Sequence, residues 1–184
     1  MSLIKAFEKE FEPEILEEFI ALWSSDILLK RGDFLINQGE RSPYLYFVEK
    51  GAIRIFYENE IEDLTIRFGY RNSFICVLPT FFNENSSEYS FQAIKASTVK
   101  RISRKDFFHF HDKHPSVTKY WKKAIEGLVL EQLEREIDIL ISDPIERYKR
   151  VLKRSPNLFQ EIPLKYIASY IRMSPETLSR LRNS

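Results

Sequence analysis

The C-terminal segment from Ile162 to Asn183 holds the side chains whose types and spacing best fit a defined chemistry. Its Ser174-Pro175-Glu176 run is typical of a helix start, because serine caps the first turn, proline fits the first helical position and an acid suits the helix dipole. The helix that follows carries a carboxylate at Glu176 and a guanidinium at Arg180. A carboxylate can accept from the amino group of cytosine, and a guanidinium can donate two hydrogen bonds to guanine. The segment therefore predicts base reading in double-stranded DNA.

Apolar side chains in the same segment predict how two short helices pack. Leu164, Ile167 and Ala168 give the first helix an apolar face, and Leu178 and Leu181 turn the second helix toward it. The outward face of the second helix is then expected to hold Pro175, Glu176, Ser179, Arg180 and Asn183. The predicted base-reading residues on that face are Glu176, Arg180 and Ser179.

Other polar side chains of the segment are better suited to phosphates, which set the register of a protein on DNA. The residues predicted to make these contacts are Lys165, Tyr166, Thr177 and Arg182.

The alternative for the whole segment is a plain helical hairpin with a solvated charged face. Arg172 stands where such turns usually have glycine, and a left-handed conformation there costs an arginine about 1 kcal/mol.

The charge distribution also favours a polyanionic partner for this end of the chain. Residues 1–144 contain 19 Lys and Arg against 24 Asp and Glu, whereas residues 145–184 contain 9 against 3. The net charge of +1 therefore hides a basic C-terminal module on an acidic body.

Composition excludes several other classes of protein. With 43% hydrophobic and 30% charged residues, the chain is typical of a soluble globular protein. Cys76 is the single cysteine, which excludes an intramolecular disulfide and an all-cysteine metal or iron–sulfur site within one chain. No stretch has the character of a signal peptide or a membrane span, so a cytoplasmic protein without a membrane partner is expected.

The residues before this module predict an α+β fold. A helix is expected over residues 4–23, followed by short strands rich in β-branched and aromatic residues, separated by turns such as Gln38-Gly39-Glu40 and Glu49-Lys50-Gly51. Many short strands at this spacing indicate a small barrel, roll or sandwich. The expected strands are 27–29, 34–36, 44–48, 52–57 and 64–68.

A long helix is predicted from about Pro115 to Ser142, where Asp143-Pro144 ends it, and a second helix follows over residues 145–153. The apolar stripe of the long helix predicts a homodimer seam. The alternative is that the long helix packs wholly on its own barrel. The stripe consists of Trp121, Ile125, Leu128, Leu133, Ile137 and Leu140. The predicted domains are a β-roll sensor over 1–114, a dimerisation helix over 115–143 and a helix-turn-helix over 144–184.

The order of these elements resembles that of the catabolite-activator (Crp/Fnr) family of bacterial regulators. Residues 34–40 and 44–54, with their Gln-Gly-Glu and Lys-Gly turns, are similar to the family's early β-roll. Residues 143–148 resemble its junction, and residues 162–182 resemble its recognition module, especially in Bacteroidetes members. The resemblance covers nearly the whole chain and implies a β-roll with a cyclic-nucleotide-binding fold, a dimerisation helix and a C-terminal helix-turn-helix.

The effector site departs from the family pattern. The family's Gly-Glu pair, which holds the ribose, falls on Cys76-Val77, and its Arg-Ser pair, which binds the cyclic phosphate, falls near Ser87-Glu88. A phosphate needs a cation or converging donors, so the protein is predicted not to bind cyclic AMP well. The roll either takes an unidentified, apolar small-molecule effector or is filled by its own side chains. The residues of this degenerate pocket are Cys76, Val77, Phe81, Ser87, Glu88 and Tyr89.

No cofactor, metal site or catalytic residue is predicted. His109, His111 and His114 are interpreted as a solvated helix face, and Cys76 as a buried, inert thiol. No phosphate loop or nucleophile motif supports an enzyme. The sequence predicts a dimeric transcription regulator, and the alternative is a small-molecule sensor that acts through protein partners and does not bind DNA.

Overall fold

The computed structural model describes residues 3–183, except for the side chain of Asn183. The described chain divides into two compact units, one up to Lys122 and one from Lys123 onward. The division falls within the long helix, and the predicted three-part domain scheme stays a prediction.

The first unit contains two four-stranded antiparallel sheets and four short helices, as expected of an α+β roll. The strand orders are β1-β8-β3-β6 in one sheet and β2-β7-β4-β5 in the other. The strands are β1 (Ile27–Leu29), β2 (Phe34–Ile36), β3 (Tyr44–Lys50), β4 (Ala52–Glu58), β5 (Asp63–Tyr70), β6 (Ser73–Cys76), β7 (Ser90–Ala93) and β8 (Ser97–Ser103). The helices are α1 (Leu3–Phe7), α2 (Pro13–Ala21), α3 (Leu78–Asn83) and α4 (Arg104–Lys113).

Strand β3 is buried on both faces because it separates two hydrophobic clusters. Tyr46 and Val48 point into the roll interior, which draws apolar residues from both sheets. Leu45 and Phe47 alternate with them and pack into an aromatic cluster with the helices. The covering helices therefore explain why this strand is a continuous apolar run rather than an alternating one.

The N-terminal helix predicted over residues 4–23 is wrong in one respect, because it is two helices. Glu12 is extended, with φ −61° and ψ 150°, and Pro13 starts α2 at its first turn. Proline has no backbone N–H and disfavours helix in the residue before it, so α1 cannot run through into α2. The apolar side of α2 is as expected, with Phe19 buried in the aromatic cluster.

The two turns that the sequence singles out have the conformations that their glycines require. Gly39 has φ +87°, and the Glu40 carboxylate accepts from the backbone N–H of Asn37 at 2.9 Å. Gly51, at φ +89°, joins β3 to β4, and a Cβ there would overlap Ser97. These turns fix the register of the strands that enclose the roll interior.

Helices make up the rest of the chain. α5 (Pro115–Leu140) begins in the first unit, and α6 (Pro144–Arg154), α7 (Leu158–Glu161), α8 (Leu164–Tyr170) and α9 (Pro175–Asn183) follow it. The predicted break is present, since Asp143 caps α6 by accepting from the N–H of Ile145 at 3.0 Å. The core of the second unit consists of Val151, Leu158, Ile162, Ile167, Ala168, Ile171 and Leu178.

Candidate nucleic-acid interface and effector site

The turn between α8 and α9 is closed by backbone hydrogen bonds around a left-handed residue. Arg172 has φ +56°, as the sequence predicts. The N–H of Met173 donates to the carbonyl of Ala168 at 3.0 Å, and the N–H of Arg172 donates to that of Ser169 at 3.3 Å. This pair of bonds is the Schellman motif, which satisfies the last carbonyls of α8. Ile171 is buried beneath the turn, and its packing in the core stabilises the conformation of the turn.

The start of α9 has the predicted cap. Ser174 Oγ accepts from the N–H of Thr177 at 3.2 Å, and Pro175 occupies the first helical position. The Thr177 hydroxyl lies 3.1 Å from Ser174 Oγ. The cap fixes where α9 begins, and thereby which side chains its outer face presents.

That outer face carries the predicted base-reading residues. Leu178 is fully buried, and Glu176, Ser179 and Arg180 are exposed. The pKa of Glu176 is held below its ordinary value by its own backbone N–H, by the Ser174 hydroxyl and by Arg180. Glu176 is therefore an anionic acceptor near neutral pH. The side chain of Asn183, also expected on this face, lies outside the described residues.

The predicted phosphate-contacting residues lie on the same two helices. Lys165 and Arg182 are exposed, whereas Tyr166 and Thr177 are half-buried. The Lys165 ammonium lies 4.6 Å from the centre of the Tyr166 ring, so the two side chains form one cationic and aromatic surface on α8.

Several basic residues of the second unit are turned inward, which the sequence pattern did not reveal. Arg150 and Arg154 on α6 pair with the buried Asp138 of α5, and Arg147 is itself buried. Lys149 and Lys153 are exposed. The cationic charge available to a polyanion is therefore smaller than the net charge of the segment suggests.

From Ile125 onward, α5 exposes a stripe of large apolar side chains. Leu133 is 51% exposed and Leu140 is 79% exposed. Val129 and Leu130 belong to the exposed set although they lie outside the predicted stripe, and Leu128 is half-buried. The exposed residues are Ile125, Val129, Leu130, Leu133, Ile137, Ile139 and Leu140.

Trp121 does not belong to this exposed stripe. It is 8% exposed and lies in the core of the first unit. Its ring packs edge-on against Phe74 and Phe107, each with ring centres 5.0 Å apart. Its helical spacing fits the stripe, but its side chain packs in the aromatic cluster of the roll instead.

The residues predicted to form a degenerate effector pocket are mostly engaged with one another or buried. Ser87 Oγ donates to the carbonyl of Tyr89 at 2.6 Å, and the backbone N–H of Ser87 donates to the carbonyl of Glu40 at 2.8 Å. Val77 and Phe81 are buried, and Tyr89 packs against the roll interior. Glu88 is exposed. The Ser87 hydroxyl is therefore already used inside its own loop.

A groove of about 430 Å³ lies beside α3. Its described lining carries one charged group, that of Glu88. The apolar part of the lining comes from Leu78, Pro79 and Phe82, and of these Leu78 and Phe82 are exposed. This lining offers an anion no cation.

The three histidines of the roll lie in different surroundings. His111 packs on Phe107 with ring centres 4.4 Å apart, and burial lowers its pKa. His114 Nε2 lies 3.0 Å from Glu18, so the interpretation as a solvated face holds only for His109. Within residues 3–183, no group of three or more His, Cys, Asp or Glu is arranged to hold a metal ion. Cys76 is half-buried rather than fully buried as predicted, and this burial raises the pKa of its thiol to about 12.

Comparison with known proteins identifies the roll. The model of the cyclic nucleotide-binding domain matches residues 27–114. The first unit contains a cyclic-nucleotide-binding-type roll. No curated protein sequence matches the chain.

Solved structures are similar to this chain beyond its cyclic-nucleotide-binding-type roll. The catabolite activator protein of Thermus thermophilus is 20% identical, with a TM-score of 0.60 over 97% of this chain and 84% of that one. FixK2 from Bradyrhizobium japonicum is 15% identical, with a TM-score of 0.73 over 86% of this chain and 82% of that one. A CooA variant from Carboxydothermus hydrogenoformans is 15% identical, with a TM-score of 0.71 over 100% of this chain and 83% of that one. The roll and long helix therefore have the fold of Crp/Fnr-type regulators.

None of the helices in the described chain is both long and apolar enough to cross a membrane.

Proposed function

We propose that the protein is a dimeric, sequence-specific DNA-binding regulator of transcription that does not respond to cyclic AMP. The observation that carries this proposal is the outer face of α9, where Glu176, Ser179 and Arg180 are exposed on a helix with a fixed start. The fold likeness to Crp/Fnr-type regulators supports the same function.

The dimensions of α9 suit the major groove. Its 9 residues give a helix about 13 Å long, which can lie in a groove about 12 Å wide. Glu176 offers only acceptors and Arg180 only donors, so each prefers a different base edge. Arg180 is assigned to guanine and Glu176 to the cytosine amino group, with Ser179 between them.

The exposed stripe of α5 supports a homodimer. Apolar surface on a helix of this length is stabilised by removal from water, at roughly 25 cal/mol per Å² buried. A second copy of α5 offers the same stripe in a two-fold arrangement. Pairing of two copies places two α9 helices about one DNA turn apart and gives the site two-fold symmetry.

The loop around Ser87 supports the lack of response to cyclic AMP. A cyclic phosphate needs a cation or several converging donors, whereas the Ser87 hydroxyl already donates to Tyr89. The described lining of the groove beside α3 has Glu88 as its charged group, and a carboxylate there disfavours an anion. The apolar roll interior fits either its own packing or an uncharged ligand.

A sensor that acts through protein partners is the second candidate function. The exposed Leu78 and Phe82 beside the α3 groove favour it, since exposed apolar side chains mark contact surfaces. Specific DNA binding that weakens with salt would distinguish the regulator from this candidate.

The test is selection of bound duplexes from a random pool at moderate salt, without effector, followed by sequencing. The expected result is a two-fold symmetric site. The Arg180→Ala variant should relax the base preference at one position in each half-site, and the Lys105→Ala variant, altered on an exposed residue of α4, should recover the wild-type site. Recovery of no site by any of these proteins would overturn the proposal.

A further inference from the structure

Asp138 is a buried carboxylate on a helix segment, residues 122–140, in which the other residues are exposed or half-buried. It is 1% exposed, although it lies in the last turns of α5 between Ile137 and Ile139, which are both exposed. Asp138 lies five residues after Leu133, or about 140° around the helix, so it points away from the apolar stripe. Burial of a carboxylate is costly unless partners compensate it, so its surroundings require an explanation.

Two arginines of α6 surround this carboxylate. Arg150 Nε donates to Asp138 Oδ1 at 3.1 Å, and Arg154 Nη1 lies 2.5 Å from Oδ2 as an ion pair without hydrogen-bond alignment. Arg150 also donates from Nη2 to Glu134 at 2.9 Å. We call Glu134, Asp138, Arg150 and Arg154 the junction ion cluster. It joins α5 to α6 across the break at residues 141–143.

A second contact links the same part of α5 to the helices that carry the candidate DNA interface. The guanidinium of Arg135 lies over the ring of Tyr170, 4.9 Å from its centre, and Tyr170 is the last residue of α8. Arg135 and Asp138 are three residues apart and so share one side of α5. The side of α5 that faces the other helices therefore makes charged contacts, whereas its apolar stripe faces away from them.

From this arrangement we infer that Asp138 is a positioning residue, which sets the angle between α5 and the C-terminal helices and thereby the spacing of the two DNA half-sites. The inference rests on the proposed dimeric regulator. Charge-assisted hydrogen bonds, such as those from Arg150 to Asp138 and Glu134, are directional, so they select one angle more sharply than apolar contacts do. If two α5 helices pair, an angular change at the junction moves both α9 helices, and the distance between half-sites changes with them.

The first test measures this angle in the full-length protein without DNA. Nitroxide labels are placed on cysteines introduced at Gln132 in α5 and Gln160 in α7, both exposed, in a Cys76→Ala background, and labelled protein is diluted with unlabelled protein. Wild-type protein should give one narrow distance. Asp138→Asn should give a broad distribution, and Glu134→Gln, which removes the exposed partner of the same Arg150, should stay narrow.

The second test measures binding to duplexes in which the spacer between selected half-sites is changed by one or two base pairs. Asp138→Asn should reduce the preference for the best spacer from roughly tenfold to within about twofold. Bivalent binding is tightest when the distance between the two α9 helices matches the distance between the two half-sites. Its affinity for a single half-site should remain that of the wild type. A merely structural role would weaken binding to every duplex equally.

The outcomes separate this inference from the proposed function. A narrow distance or an unchanged spacer preference in Asp138→Asn overturns the role of Asp138. If Asp138→Asn does not fold, Arg150→Gln, which keeps the Arg154 pair, must broaden the distance, and a narrow distance there overturns the inference equally. If wild-type protein selects no DNA site, the proposed function fails, while the distance measurement still decides whether Asp138 sets the angle.

Discussion

The hydroxyl oxygen of Ser174 accepts a hydrogen bond from the backbone N–H of Thr177 at 3.2 Å, and this contact closes the first turn of α9. The same hydroxyl also helps to hold the pKa of Glu176 below its ordinary value. One side chain therefore fixes where the helix starts and helps to keep its first acid ionised.

Removal of the Ser174 cap should lower the stability of the protein and weaken its binding to DNA. Ser174→Ala should lower the free energy of unfolding by about 1 kcal/mol, the usual cost of losing a serine cap. Ser179→Ala, on the exposed face of the same helix, should leave it unchanged within about 0.5 kcal/mol. Urea unfolding followed by circular dichroism measures both, and equal stability of the two variants would contradict the capping role.

Arg180 and Lys165 should have different effects on DNA binding. Arg180→Ala should cost about 1–3 kcal/mol on the selected site and relax the choice of one base pair in each half-site. Lys165→Ala should weaken binding on all sequences and reduce the slope of log affinity against log salt by about 1. Fluorescence anisotropy at several salt concentrations measures both. A uniform loss in Arg180→Ala would instead assign Arg180 to a phosphate.

The apolar stripe should control the oligomeric state. Leu133→Glu places a charge where a paired helix would bury an apolar side chain worth about 1.5–3 kcal/mol, so dissociation to monomers is expected. Gln132→Glu, which adds the same charge one residue away, should remain dimeric. Sedimentation velocity distinguishes the two, and a wild-type protein that is monomeric at high micromolar concentration would refute the seam.

Cyclic AMP should give no binding heat in the micromolar range. The Ser87 hydroxyl is occupied by Tyr89, and the groove beside α3 has Glu88 as its charged group. Isothermal titration of the purified protein, with a cyclic-AMP-binding regulator as positive control, measures this. Micromolar affinity would show that a cation from another part of the chain reaches the phosphate.

His111 should make the first unit less stable in mild acid. Burial lowers its pKa, so the unfolded chain binds the proton more readily than the folded one. The stabilisation is fully present above the ordinary pKa of 6.5 and is lost as the pH falls below that value. The groups that face the ring are Asp112, Thr118, Phe107 and Trp121.

His111→Gln should therefore flatten the decline of stability between pH 7.5 and about pH 5, whereas His109→Gln, on an exposed site, should not. Urea unfolding at a series of pH values is the measurement. Parallel curves for wild type and His111→Gln would assign the acid sensitivity to another group.

Local signals predicted the caps, the turns and five of the eight strands, whereas β6, β7, β8, α3 and α7 were not predicted. The Ser174 cap, the left-handed Arg172 and the Asp143-Pro144 break follow from residue types within a few positions. The burial of Trp121 does not follow from such local signals. Helical spacing cannot tell whether an aromatic ring packs in a dimer seam or in the core of its own roll. Sequence also cannot show that Arg150 and Arg154 turn toward a carboxylate twelve or more residues earlier.

Both tryptophans of the chain, Trp23 and Trp121, are buried in the aromatic cluster of the first unit. Indole emission will therefore follow the unfolding of the roll, while the C-terminal helices contribute tyrosine alone. A comparison of emission with helical ellipticity then reports whether the two units melt together or one after the other. The protein thus carries an intrinsic optical probe that is specific to one of its halves.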